Sequence, residues 1–341
     1  MIPEQIEAYV VDDVSKQTFR KAQIDVPQLQ SHDVLVNIEC CSVCHTDFFC
    51  PAGKAPGHEF IGKIVAVGSN VVKLKVGQRV GGGWQLGSCQ NCNVCNDGKQ
   101  HICPEKTNFI NAPIGGFAEY VVWDSRFLYD IPETMSSADA APLLCAGITV
   151  YAPLANHNVQ PGSRVGILGV GGLGHLGIKF AKAWGCRVVA LSTSSNKEKE
   201  ARAFGADEFV VTKDADQLKS LKPLDMIINT VSANLDYESY INLLAPRGKF
   251  VVIGIASKPL QVNGGLLIGS ERSIVGSLVG SPIMMQKMLN FAGMHNISPQ
   301  LEIYPMDVDH CHTAFERIDQ NLARYRIVLT NCNFELDSFH F

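Results

Sequence analysis

Between Ile6 and about Pro132, apolar residues come in short β-branched runs separated by turn residues: IEAYVV (6–11), DVLVNIE (33–39), GKIVAVGSNV (62–71), QRVGGG (78–83) and FAEYVVWDSRFLYDIP (117–132). This pattern predicts a β-rich, partly open barrel. From Arg164 the rhythm changes. The runs RVGIL, RVVAL, DEFVV, DMIIN, KFVVIG and RSIVGS are separated by segments long enough for crossover helices, which predicts a doubly wound parallel sheet in an α/β protein. Ser136 to about Asn158 reads as a helical bridge between the halves. After about Pro282 the pattern is mixed, and the β-like RYRIVLT near the end is available to return to the first half.

Composition narrows the class. With 46% hydrophobic and 18% charged residues the chain is ordinary globular, and a net charge of -4 supplies no field for a nucleic-acid backbone. The apolar-rich run from Ala140 to Ala155 contains Pro142, Gly147 and Pro153 and falls short of the roughly 20 residues of a membrane helix. The first residues, MIPEQIEAYVVDD, lack the basic-then-apolar pattern of a secretory signal, so a cytoplasmic, reducing location is expected. There, 12 Cys point to metal binding or chemistry rather than disulfides.

Cys89, Cys92, Cys95 and Cys103 stand at C-x2-C-x2-C-x7-C in a loop rich in Gly and Asn. Four thiolates so spaced can close a tetrahedron around one zinc ion and leave no open position, which is a structural arrangement. An iron–sulfur cluster also takes four Cys, but its usual run ends in a different spacing. A second set is scattered: Cys44 in CSVCHTD, His58 in PGHEF and Cys145 in PLLCAGITVY. Singly, each is more often a satisfied core residue than a ligand. Together they offer zinc three N/S ligands and leave a fourth place for water or substrate, as a catalytic site requires.

The strand RVGIL runs into GVGGLGHLG, with Gly169, Gly171 and Gly174 at G-x-G-x-x-G and Gly172 and Leu173 between them, and then into a helical stretch. Between a strand and a helix this marks a dinucleotide site; a merely structural turn is the plainer alternative. An NAD site usually carries an acidic residue about 20 positions on, for the ribose hydroxyls. Here the strand RVVAL ends instead in Ser192, Thr193, Ser194 and Ser195, followed by Lys197 and Lys199. Hydroxyls and cations suit a 2′-phosphate, so NADP is the expected cofactor, unless the stretch is an ordinary solvated turn.

The set CHTD, GHE, the four-Cys ladder, LLCAGITVY and GVGGLGHLG resembles the zinc-dependent medium-chain alcohol dehydrogenases, most of all their cinnamyl alcohol dehydrogenase branch, over about residues 5 to 330. The resemblance implies a GroES-like catalytic domain (1–147 and 287–341) and an inserted Rossmann nucleotide domain (148–286). It makes Cys44, His58 and Cys145 ligands of a catalytic zinc, Cys89, Cys92, Cys95 and Cys103 those of a structural zinc, and Glu59 a carboxylate able to approach the metal. It further implies that Asp47 orients His58, Thr46 relays the substrate proton, His45 and Arg326 lie near the cofactor phosphates, and Thr149 lies against the nicotinamide.

The implied reaction exchanges a hydride between NADP(H) and primary alcohols or aldehydes, aromatic or of medium length, in a homo-oligomer, a dimer by preference. A sorbitol-type polyol dehydrogenase shares most of these features, and a silent zinc- and nucleotide-binding protein is the non-enzymatic alternative. One departure stands out. Only thirteen residues separate Cys44 from His58, fewer than the family usually has. Shortening of Phe48 to Gly57 is expected to open one side of the substrate cleft, and places Cys50 as a stray thiol near the metal.

Overall fold

The computed structural model describes residues 2–331. The chain divides into two compact units, one formed by the chain up to Cys145 together with the segment from Gly280, the other by Ala146–Val279. The family resemblance implies crossings after residues 147 and 286. The second lies earlier because the helix Pro282–Met294 belongs to the first unit: Gln286 hydrogen-bonds both ways with the backbone of Asp130, and Gly293 lies close against Pro132 and Thr134. The part of the expected catalytic domain beyond Asn331 lies outside the described residues.

The first unit is organised around Asp33–Val43, which is buried along most of its length. It pairs antiparallel with Phe60–Val67, with Tyr120–Asp124 and with the late strand Arg326–Thr330, so the end of the chain does return to the first half. Leu301–Pro305 extends this sheet on one side, and Arg79–Gly82 and Leu128–Asp130 on the other, seven strands in all. Phe60, Phe117, Trp123, Phe127 and Phe315 fill the interior. A hairpin of Gln5–Asp13 with Thr18–Asp25 completes the unit. Its second strand is invisible in the hydrophobic pattern because Phe19 is its one buried side chain.

Register brings the chemistry to one edge. Ile327 opposes Val43, which puts Arg326 level with Cys44, and the backbone N–H of Ser42 donates to the carbonyl of Glu59 at 2.9 Å. The expected single helix from Ser136 to Asn158 is instead three pieces: an α-turn Ser137–Ala140, a 3-10 turn Ala141–Leu144 and the helix Ala146–Asn156. Pro142 favours the tighter turn, and Cys145, at φ −130° and ψ −63°, interrupts the helix.

The second unit is a six-stranded, all-parallel sheet in the order Glu208–Val211, Arg187–Ser192, Arg164–Leu168, Leu224–Asn229, Leu244–Val252, Ser273–Gly276. All six predicted strands are present. Strand order reverses beside Arg164–Leu168, the position at which doubly wound sheets bind ligands at their carboxyl ends. Among the described residues no single helix is long and apolar enough to cross a membrane.

Candidate functional site

Cys44 directly follows the strand Asp33–Val43 and caps the 3-10 turn His45–Phe49; His58 and Glu59 precede the strand Phe60–Val67; Cys145 sits at the helix interruption. Their ligand atoms all lie within 4.8 Å of one another. Asp47, with no exposed surface, organises the group: Oδ2 accepts the Cys44 N–H at 2.9 Å, and Oδ1 accepts the Gly57 N–H at 3.0 Å and lies 2.7 Å from His58 Nδ1. His58 Nε2 is left buried with no partner in the protein, and so is Glu59 Oε1. Buried orphans facing two thiols are what a missing cation would satisfy, and two S, one N and a nearby carboxylate O are a zinc donor set.

The electrostatics agree. Hydrogen bonding from Cys145 and the nearby charge of His58, against the cost of burial, hold the Cys44 thiol well below its usual pKa, while its bond to Cys44 and burial push Cys145 up. Burial works against a charged His58, yet Asp47 and Cys44 keep its pKa well above normal. Burial raises Glu59 to about 7 despite Arg326, whose Nη2 donates to Glu59 Oε2 and, at 3.2 Å, to Ser42 Oγ. Three acidic groups and one base crowd a dry space, and a divalent ion relieves them all.

In the four-Cys loop the Sγ separations are 3.5 Å (Cys89–Cys103), 3.8 Å (Cys92–Cys103) and 3.9 Å (Cys89–Cys95). A tetrahedron with Zn–S of about 2.3 Å has edges of about 3.8 Å, so the thiols already stand at its corners. A disulfide needs about 2.05 Å. Backbone bonds from Asn91 and Cys92 lower Cys89 to about 7, which favours the thiolate that a metal requires.

At the glycine turn, Gly169 has φ +93°, and a Cβ on Gly174 would come within 1.9 Å of the Gly169 carbonyl oxygen. A Cβ on Gly171 would meet nothing within 4 Å, so this residue faces open space suited to a pyrophosphate. Ser192 ends its strand half-buried; Thr193, Ser194 and Ser195 are exposed, and Lys197 Nζ donates to the Val170 carbonyl at 2.8 Å. Thr149 lies half-buried on the helix Ala146–Asn156 of the same unit.

Residues 172–293 match the zinc-binding dehydrogenase family and residues 30–133 the alcohol dehydrogenase GroES-like domain. A probable formaldehyde dehydrogenase of Bacillus subtilis is 40% identical, over 92% of this chain and 95% of its own. A probable cinnamyl alcohol dehydrogenase of Oryza sativa is 38% identical, over 87% and 86%. The chain belongs to the zinc-dependent medium-chain alcohol dehydrogenase family.

Among solved structures, a cinnamyl alcohol dehydrogenase of Sorghum bicolor superposes with TM-score 0.90 at 35% identity, covering 98% of this chain and 100% of that one. One from Helicobacter pylori complexed with NADP(H) gives 0.87 at 28%, covering 96% and 99%. This dehydrogenase is thus an NAD(P)-dependent enzyme of the cinnamyl alcohol dehydrogenase-like branch.

Within the dehydrogenase the residues expected at the metal come together: Cys44, His58, Cys145, Glu59 and Asp47, with Thr46 Oγ1 3.6 Å from Cys44 Sγ. Arg326, expected at the cofactor phosphates, spends Nη2 on Glu59 and Ser42, and its Nε has no protein partner. Cys50 is not part of the ligand cluster. Its thiol faces the Lys54 carbonyl at 3.8 Å, and burial raises it to about 12. The short loop is pinned: Gly53 donates to Val11 at 2.8 Å, Val11 to Lys54 at 3.0 Å, and Gly116 to Gly57 at 2.8 Å. Two contributors carry no signal of their own in the sequence: Ser42, on Arg326, and Phe109, whose ring lies 4.5 Å from that of His58.

Proposed function

We propose that this dehydrogenase binds two zinc ions per chain, prefers NADP(H), and interconverts primary alcohols and aldehydes, aromatic or of medium length. The cofactor reading is carried by one observation: the strand Arg187–Ser192 ends in hydroxyl side chains with no carboxylate, and the amine of Lys197 lies at the glycine turn beside it. A 2′-phosphate would find donors there, and no repulsion. The NADP(H) bound to the Helicobacter relative supports the same choice. Up to Cys145 and from Gly280 the chain forms the catalytic domain, and the sheet between them the nucleotide domain.

Cys44, His58 and Cys145 would hold the catalytic zinc with Glu59 at hand, and Cys89, Cys92, Cys95 and Cys103 the structural one. When bound, zinc supplies Lewis acidity toward the substrate oxygen, and the nicotinamide carries the hydride. Asp47 keeps the proton of His58 on Nδ1, so that Nε2 offers its lone pair. Arg326 and Ser42 hold Glu59 by one oxygen. Thr46 Oγ1 would relay the proton that leaves an alcohol, accepting it while its own hydroxyl proton passes on to solvent, and would run the same path backwards in aldehyde reduction. His45 and Arg326 would serve the cofactor phosphates, and Thr149 would flank the nicotinamide.

The strand Ser273–Gly276 leaves one edge of the nucleotide sheet unpaired, which supports a homodimer joined there. A cytoplasmic setting suits the free thiols. Steady-state rates with NADPH and NADH over a panel of aldehydes test the proposal. Mannitol, oxidised with NADP+ or NAD+, is the comparison beside that panel, since a probable mannitol dehydrogenase of Fragaria ananassa is 39% identical over 87% of this chain and 87% of its own. Higher kcat/KM with NADPH and an aromatic aldehyde is the expected result; faster turnover of mannitol with NAD would overturn it.

A further inference from the structure

Directly after the ligand Cys44, the exposed ring of His45 stacks on Phe48 at 4.8 Å between centroids and 11° between planes. Phe48 in turn stacks on Phe315 at 4.5 Å and 20°. Phe315, on the helix Val308–Asp319, is 1% exposed and is braced edge-on by Phe19 at 4.8 Å. Three rings thus run from the core of the catalytic unit to the surface, and the outermost is the imidazole.

We propose that Phe48 is a positioning residue: it fixes the His45 ring in one orientation before the cofactor pyrophosphate is bound. This rests on the phosphate role given to His45 under Proposed function. An exposed histidine on a short 3-10 turn has rotamers to choose from, and an anion pays for fixing one of them. Stacking on a half-buried ring removes that choice beforehand, because near-parallel faces at this spacing resist rotation of the imidazole. Asp47, between the two stacked residues, points inward to His58 and Cys44, so the turn carries a metal-orienting residue on its inner side and the ring stack on its outer side.

The test uses the zinc-loaded enzyme and NADPH dissociation constants from quenching of protein fluorescence. His45→Ala is expected to weaken NADPH by about tenfold or more, as loss of a hydrogen bond to a charged group does. Phe48→Leu keeps apolar bulk on Phe315 and removes the stacked face; it is expected to weaken NADPH by about three- to tenfold. Its zinc content should be unchanged. In the double variant the loss should equal that of His45→Ala alone, and Phe48→Tyr should restore wild-type affinity.

An unchanged Kd in Phe48→Leu, or losses that add in full in the double variant, overturns the positioning role while leaving His45 at the phosphates. An unchanged Kd in His45→Ala overturns the phosphate role itself, and the inference with it.

Discussion

The Oδ1 of Asp47 lies 2.7 Å from Nδ1 of His58, and both side chains are wholly buried. The same carboxylate receives the backbone N–H groups of Cys44 and Gly57, so one side chain fixes two ligands and the loop between them. Asp47→Asn still offers one acceptor oxygen but brings an amide N–H toward a neighbouring donor. Zinc affinity should fall by about 10- to 100-fold, in line with other residues that orient a metal-bound imidazole. Competition with a chromophoric chelator measures this; unchanged affinity would remove Asp47 from the site.

Removing one thiol from each cluster should separate stability from chemistry. Cys95→Ser opens a site whose four sulfurs stand at tetrahedral spacing, and is expected to lower Tm and release one zinc. Cys145→Ser should abolish turnover with the fold retained. Metal analysis of wild type should find two zinc ions per chain. A single equivalent would contradict the two-site reading, and the reverse pattern in the two variants would exchange the assignments.

Cofactor choice should turn on the end of one strand. Ser192→Asp with Lys197→Ala places a carboxylate where a 2′-phosphate would lie and removes the nearby cation, and should move kcat/KM toward NADH. If wild type already uses NADH better, the hydroxyl run serves only as a turn.

Thr46→Val keeps shape and removes the hydroxyl beside Cys44. Turnover should fall by about 10²- to 10⁴-fold, the range of proton-transfer groups, with little change in NADPH affinity. Near-normal rates would mean that water or His45 carries the proton.

For substrates, the short stretch from Phe48 to Gly57 should allow bulky aromatic aldehydes with shallow discrimination, because a lost wall contact is worth only about 1–3 kcal/mol. Values of kcat/KM for acetaldehyde, hexanal, benzaldehyde and cinnamaldehyde would show it. Sharp preference for acetaldehyde would mean that the pinned loop closes the cleft.

Where side-chain periodicity and backbone requirement coincide, the sequence was a good guide. The apolar runs of the nucleotide sheet and the glycines at 169, 171 and 174 are visible because buried parallel strands and a tight phosphate turn tolerate few alternatives. The strand Thr18–Asp25 was not, since a hairpin arm with one buried residue has no hydrophobic signature. Nor was the interruption at Cys145, which lies inside an apolar run that looks helical throughout. The metal donors are legible as residue types, but the tie between Arg326 and Glu59 spans 267 positions and depends on strand register, which no local pattern records.

The late strand Arg326–Thr330 pairs with Asp33–Val43 and carries the counter-ion of Glu59. A ribosome releases the nucleotide unit as one uninterrupted stretch, and delivers this last neighbour of the ligand-bearing strand only after that whole unit has emerged. The inserted unit is therefore free to fold first, whereas the metal pocket must wait for the strand Arg326–Thr330 that follows it. A premature stop just before Arg326 would leave the thiols, His58 and Glu59 assembled around an unneutralised carboxylate, beside an open sheet edge that invites aggregation.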